Sequence, residues 1–126
     1  MAAPGIHADR VPAVLIVDDD PEFRQRASRV LADRGYDVVG TAATVAQARV
    51  GLRDARPDAV LLDVNLPDGD GLTFAQELAD ADGAVRVLLT SSDAGAAPRR
   101  LVERSGAAGF VPKVDLAVAD LTPYLG

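Results

Sequence analysis

Four apolar runs in this chain each end on a polar or charged residue. Val14-Leu15-Ile16-Val17 leads into Asp18-Asp19-Asp20, Leu61-Leu62 into Asp63, Leu88-Leu89 into Thr90, and Phe110-Val111-Pro112 into Lys113. Short continuous apolar runs are the pattern of strands buried on both faces of a parallel sheet. Between them the period is helical. Asp20-Pro21 reads as an N-cap followed by proline at the first helical position, and Phe23, Ala27, Val30 and Leu31 share one face until Gly35 ends the helix. Val38-Val39 make a second, short strand. Thr44 caps the next helix, whose buried stripe is Val45, Ala48, Leu52 and Ala55 and which Arg56-Pro57 stops.

Ala59-Val60-Leu61-Leu62 is the third strand, and the loop from Asp63 to Gly71 is dense in turn residues. A helix over 72–80 turns Leu72, Ala75, Leu78 and Ala79 inward, and a strand over 85–89 follows. A weaker helix over about 94–105 carries Gly95 and Pro98, so it is the least firmly held. A fifth strand covers 108–111. Leu116, Val118, Leu121 and Leu125 suggest a last helix, with Pro123 limiting its regularity. Strands alternating with helices over short connections predict an α/β fold on a parallel sheet, with the carboxyl ends of the strands along one edge. Three acids, a hydroxyl and an ammonium then converge on one small volume.

The length of 126 residues fits one domain, read here as 13–126 behind a flexible N-terminal leader of residues 1–12, which has no apolar stretch typical of a secretion signal. Hydrophobic residues at 48% and charged residues at 25% are globular proportions, and no apolar run approaches the roughly 20 residues of a membrane span. The absence of cysteine removes disulfides and thiolate metal sites and fits the cytoplasm. A net charge of −6, from 13 basic against 19 acidic residues, argues against direct nucleic-acid binding, which draws its affinity from phosphate neutralisation. The single histidine, His7, lies in the leader, so no histidine-based triad or histidine metal cage is available. The only basic pair, Arg99-Arg100, reads as a solvated helix face. Abundant Ala, Arg, Asp and Gly fit a GC-rich bacterial genome.

Asp18, Asp19 and Asp63 at the ends of adjacent strands repel one another unless protonated or bridged by a cation. Oxygen donors without Cys or His select a hard cation, and few protein ligands with room for water suit Mg²⁺ better than Ca²⁺. The other reading, that Asp18-Asp19-Asp20 only caps a helix, needs no more than Asp20. Asp63 stands directly at a strand end, although a turn residue is its plain alternative. A carboxylate there can attack phosphorus, and the acyl phosphate formed needs a metal, an ammonium and a hydroxyl, the groups found at Asp18, Asp19, Lys113 and Thr90. Taken singly, Lys113 reads as a surface lysine and Thr90 as a strand residue; their joint placement at strand ends gives them weight.

Four motifs in order carry a family resemblance. They are Ile16-Val17-Asp18-Asp19, Leu62-Asp63-Val64-Asn65-Leu66-Pro67-Asp68-Gly69-Asp70-Gly71, Val87-Leu88-Leu89-Thr90-Ser91, and Gly106-Ala107-Ala108-Gly109-Phe110-Val111-Pro112-Lys113. At these spacings the chain resembles the receiver domain of two-component response regulators, the CheY-like superfamily, over nearly everything after the leader. The resemblance implies a flavodoxin-like three-layer sandwich, a doubly wound five-stranded parallel sheet of order 2-1-3-4-5 with two helices on one face and three on the other. It makes Asp63 the phosphoacceptor, Asp19 the nearer and Asp18 the outer acid of a Mg²⁺ site, and Asn65 a metal ligand through its backbone carbonyl. Thr90 hydrogen-bonds the phosphoryl group and Lys113 pairs with it. Phe110 matches the aromatic switch position, its alternative being a fifth-strand core residue, and Asn65 and Ser92 tune the phosphoryl lifetime.

By the same resemblance the donor is a phosphohistidine on a sensor histidine kinase or phosphotransfer protein. The output is a changed surface on the fourth helix, fifth strand and last helix, read by a partner protein or domain; a dimer formed on phosphorylation is compatible with it. The chain is then no enzyme beyond its own phosphorylation and dephosphorylation. Phe110 has no hydroxyl, so a switch there works by packing. Val114 follows Lys113 where many receivers have proline. Two other classes stay open. A pseudo-receiver would be an interaction module that never carries phosphate, against which the intact acid set argues. An aspartate-nucleophile phosphatase commonly places a second acid two residues on, where this chain has Asn65.

Overall fold

The chain runs through β1 (Ala13–Val17), α1 (Pro21–Asp33), β2 (Asp37–Ala42), α2 (Val45–Ala55), β3 (Ala59–Asp63), β4 (Asn65–Leu66), β5 (Gly69–Asp70), α3 (Gly71–Ala81), β6 (Arg86–Ser91), α4 (Arg99–Arg104), β7 (Gly109–Pro112), a 3₁₀ turn (Lys113–Asp115) and α5 (Thr122–Leu125) in a computed structural model, which describes residues 11–81 and 83–126. Most of the leader, His7 included, lies outside the described residues. The five long strands are all parallel in the order β2-β1-β3-β6-β7, which is the 2-1-3-4-5 order expected. Every residue of β3 is buried, as a central strand covered on both faces requires.

Alternation along the strands divides the core into two layers. Leu15, Val17, Val60, Leu62, Val87 and Leu89 face α2, α3 and α4, where Ala48, Phe74, Ala75 and Val102 meet them. Val14, Ile16, Ala59, Leu61, Leu88 and Val111 face α1 and the C-terminal segment, where Phe23, Ala27, Leu31, Leu116, Leu121 and Leu125 pack. Phe74, absent from the expected stripe of α3, joins Ala75 as a buried core contact of that helix; Leu72 and Leu78 pack against the same core half-buried, Ala79 is half-buried, and Ala55 of α2 is exposed.

The expected caps form. Asp20 Oδ1 accepts the Glu22 amide at 3.0 Å with Pro21 opening α1, and Thr44 Oγ1 accepts the Gln47 amide at 3.0 Å.

Two helices differ from expectation. The helix expected over about 94–105 is confined to Arg99–Arg104, because Pro98 has no amide hydrogen to give an earlier carbonyl and sits in extended geometry as the N-cap. Asp93 instead holds Gly95 and Ala96 in a turn. The last helix is reduced to a 3₁₀ turn, further turns and the four residues of α5, with Val118 exposed rather than inward. In a continuous helix the Ala119 carbonyl would receive the amide of residue 123, and that residue is Pro123. The Arg34 guanidinium, from the end of α1, donates to the Ala117 and Ala119 carbonyls instead. Buried Leu116, Leu121 and Leu125 keep the segment on the sheet without a regular helix.

Candidate functional site

β1, β3, β6 and β7 deliver their last residues to one edge because parallel register fixes which residues are neighbours. Asp63 lies opposite Thr90, and Val17, which precedes Asp18, lies opposite Leu62. Asp18, Asp19 and Asp63 each offer a carboxylate oxygen within 4.8 Å of the others'. Asp18 is fully buried and Asp63 is 5% exposed, whereas Asp19 is open to solvent. Lys113 Nζ is 2.7 Å from Asp18 Oδ2 and 3.7 Å from Asp63 Oδ2, so one ammonium serves two buried acids. Helix capping falls to Asp20; Asp18 Oδ1 instead accepts the Asp20 amide at 2.9 Å and shapes the turn.

Burial pushes the Asp63 carboxyl up to about 6 from 3.8, and repulsion from Asp18 and Asp19 adds to the rise. The Asn65 amide, donating to Asp63 Oδ1 at 3.2 Å, and Lys113 pull the other way without cancelling it. Two acids beside a partly desolvated third are short of positive charge, and hard oxygen donors fit a divalent cation such as Mg²⁺. The Thr90 hydroxyl is fully buried and has no hydrogen-bond partner among the described residues. A buried orphan hydroxyl is costly unless some state of the protein satisfies it.

The segment after Asp63 is more ordered than a turn-rich loop. Asn65-Leu66 pairs antiparallel with Gly69-Asp70 around Pro67-Asp68, a hairpin that the two intervening turn residues could have signalled. Asp68 reaches back to α2 and accepts the Val45 and Ala46 amides at 2.8 and 3.1 Å, while Asp70 caps α3 by accepting the Leu72 amide at 3.1 Å. The Val45 amide in particular draws the Asp68 carboxyl below the ordinary carboxylate range. A lowered carboxyl stabilises the fold above its ordinary range and loses that contribution as pH falls through its folded value. Asp68→Ala is therefore expected to lower the thermal midpoint at pH 7, and the gap to the parent should close on acidification below about pH 4. A gap that stayed constant well below that pH, after the carboxyl has been protonated in the folded protein too, would exclude an ionic cap.

Asn65 is exposed on the hairpin, and Ser92 is exposed just after β6. Ser91, not singled out in the sequence, is buried and accepts the Asp93 amide at 3.1 Å. Phe110 is half-buried against the α2–α4 layer and lines a groove of about 500 Å³ with Ala97, Val102 and Tyr124. Sequence reasoning gave Phe23 only a core role, yet its ring lies 4.5 Å from Lys113 Nζ.

The chain belongs to the response regulator receiver domain family, whose model matches residues 14–122. It is thus a receiver domain of two-component signalling. It is 39% identical over 108 residues to the protein-glutamate methylesterase/protein-glutamine glutaminase 2 of Xanthomonas oryzae pv. oryzae, covering 82% of this chain and 30% of that protein. The chain therefore spans less than a third of the length of that relative. Among solved structures it resembles a LuxR-family two-component response regulator from Aurantimonas (TM-score 0.78, 32% identity, 86% of this chain and 79% of the other). It also resembles the receiver domain of the response regulator NarL from Mycobacterium tuberculosis (TM-score 0.73, 30% identity, 86% and 91%). No helix among the described residues is long and apolar enough to cross a membrane.

Proposed function

We propose that residues 13–126 form a cytoplasmic switch in which Asp63 accepts a phosphoryl group from a phosphohistidine of a sensor histidine kinase or phosphotransfer protein. The observation that carries this reading is the Asp63 carboxylate at a strand end, with Lys113 3.7 Å away and an unpartnered buried hydroxyl on the neighbouring strand. An Asp63 oxygen attacks phosphorus, the P–N bond to the donor imidazole breaks, and the imidazole leaves with a proton in place of the phosphoryl group. Asp18, Asp19, Asp63 and the Asn65 backbone carbonyl would hold Mg²⁺, which supplies charge neutralisation for the phosphoryl oxygens. Lys113 offsets further oxygen charge, and Thr90 gains the hydrogen-bond acceptor it lacks.

Drawing Thr90 towards the phosphoryl oxygens vacates space beside β7, and Phe110 turns inward from the groove it lines. The surface of α4, β7 and α5 then differs between the two states, which is what an output protein, output domain or second copy reads. Hydrolysis of the acyl phosphate resets the switch, with Asn65 and Ser92 flanking the site to tune its lifetime. The domain so acts on itself alone and turns over no external substrate. Incubation with Mg²⁺ and acetyl phosphate should give a single phosphoryl mass adduct that is lost in Asp63→Asn and on chelation. An unmodified mass under those conditions would leave a pseudo-receiver that works by interaction alone, and sustained turnover of an external phosphoester would mark a phosphatase.

A further inference from the structure

We propose that Phe23 is a positioning residue for Lys113, its aromatic face fixing where the ammonium stands at the acidic edge. The role rests on the reading of Asp63 as phosphoacceptor. Phe23 projects from the first turn of α1 and is 1% exposed, with Lys113 Nζ 4.5 Å from its ring centroid. Arg26 also reaches this ring, with Cζ at 5.3 Å. An ammonium at such a distance is attracted by the negative face of the ring, and the attraction grows as water is excluded. The Lys113 side chain is only 12% exposed, so the contact is made largely out of water.

Lysine is a compact charge on a flexible four-carbon stem and needs walls to hold one position. The chain after Lys113 supplies none at the site, since Val114 points to solvent at 83% exposure. Asp18, at 2.7 Å, is the nearer of the two acids and alone would draw the ammonium away from Asp63. The ring gives a third contact and confines Nζ to a place from which it reaches both carboxylates. Leucine at 23 would fill much of the same volume and leave out this contact, because it has no quadrupole.

Graded fluorination of the ring at position 23 separates the two roles, because it weakens cation binding with little change of size. In the full chain, with acetyl phosphate and Mg²⁺, the initial rate of adduct formation should fall stepwise with each fluorine. It should reach roughly a tenth with the trifluorinated ring, in a protein that still unfolds in one cooperative transition above the assay temperature. Phe23→Leu should be as slow. A second readout needs no phosphoryl transfer: in the metal-free protein the Lys113 Hε resonances should lie upfield from ring shielding and return to ordinary positions in Phe23→Leu. A flat rate across the fluorine series, or unshifted Hε resonances in the parent protein, would overturn the proposal. Shifted resonances in a parent protein that takes no phosphoryl group would instead overturn the phosphoacceptor reading, and the positioning role with it, while leaving the contact in place.

Discussion

Asp63→Asn is expected to make the metal-free protein more stable at pH 7, by about 2 kcal/mol, even though it removes the residue on which the proposed reaction depends. The Asp63 carboxyl is raised from 3.8 to about 6, chiefly by burial and by Asp18. A group raised in the folded state contributes stability that is fully present below its unfolded value and lost as pH rises through the folded one. Ionising Asp63 therefore costs stability progressively between about pH 4 and pH 7. A shift of this size corresponds to roughly 3 kcal/mol, and screening by water on the open Asp19 side brings it nearer 2. Asparagine keeps the shape, retains an oxygen for the Asn65 amide, and leaves Lys113 to Asp18 alone. Denaturant unfolding without metal should show the parent losing stability across that window while the variant stays flat. Adding Mg²⁺ should stabilise the parent more than the variant, since a ligand that binds only the folded state adds to its stability. A variant equal to or weaker than the parent at pH 7 would show that the raised carboxyl is not a strain in the resting fold.

The gathering of the candidate site's groups was legible in the sequence because strand ends are. An acid, hydroxyl or ammonium at the close of an apolar run marks where a buried strand finishes: Asp63 is the last residue of β3, Asp18 and Lys113 directly follow β1 and β7, and Thr90 is the penultimate residue of β6. Asp20 and Thr44 were readable for a different reason: a cap satisfies amides two or three residues away, and short-range chemistry is visible in local sequence. What could not be read depends on partners far along the chain. The C-terminal segment has helix-like apolar spacing, but its carbonyls at Ala117 and Ala119 are taken by Arg34, more than eighty positions earlier. Phe23 meets Lys113 across a similar separation, and nothing in the pattern around either residue distinguishes a core phenylalanine from one that faces a cation. The division of apolar residues between the two core layers was equally hidden in β3, since a strand buried on both faces shows no alternation.

Gly71→Ala tests how tightly the strand end carrying Asp63 is built, and a loss of about 3 kcal/mol is expected. Gly71 opens α3 directly behind the hairpin, and its amide donates to the Val64 carbonyl at 2.7 Å. A Cβ on Gly71 would meet Val64 Cα at 2.8 Å and the Asp63 carbonyl carbon at 3.0 Å, with the Asp63 carbonyl oxygen closer still. These are backbone atoms, so no rotamer change relieves the overlap; either α3 withdraws from the sheet or the end of β3 moves. Moving β3 shifts Asp63 relative to Lys113, which arrives on a separate strand, so adduct formation per folded molecule should fall as well. Gly95→Ala is the matched control. Its added Cβ would find only Asp93 Oδ1, at 3.5 Å, an ordinary contact, and its stability should stay within about 0.5 kcal/mol of the parent. Denaturant midpoints for the two variants, with the phosphorylation rate measured on the folded fraction, separate a general cost of adding a methyl group from one aimed at the site. If Gly71→Ala matched Gly95→Ala in both, the close approach of α3 to Asp63 would not be what holds the acid in place.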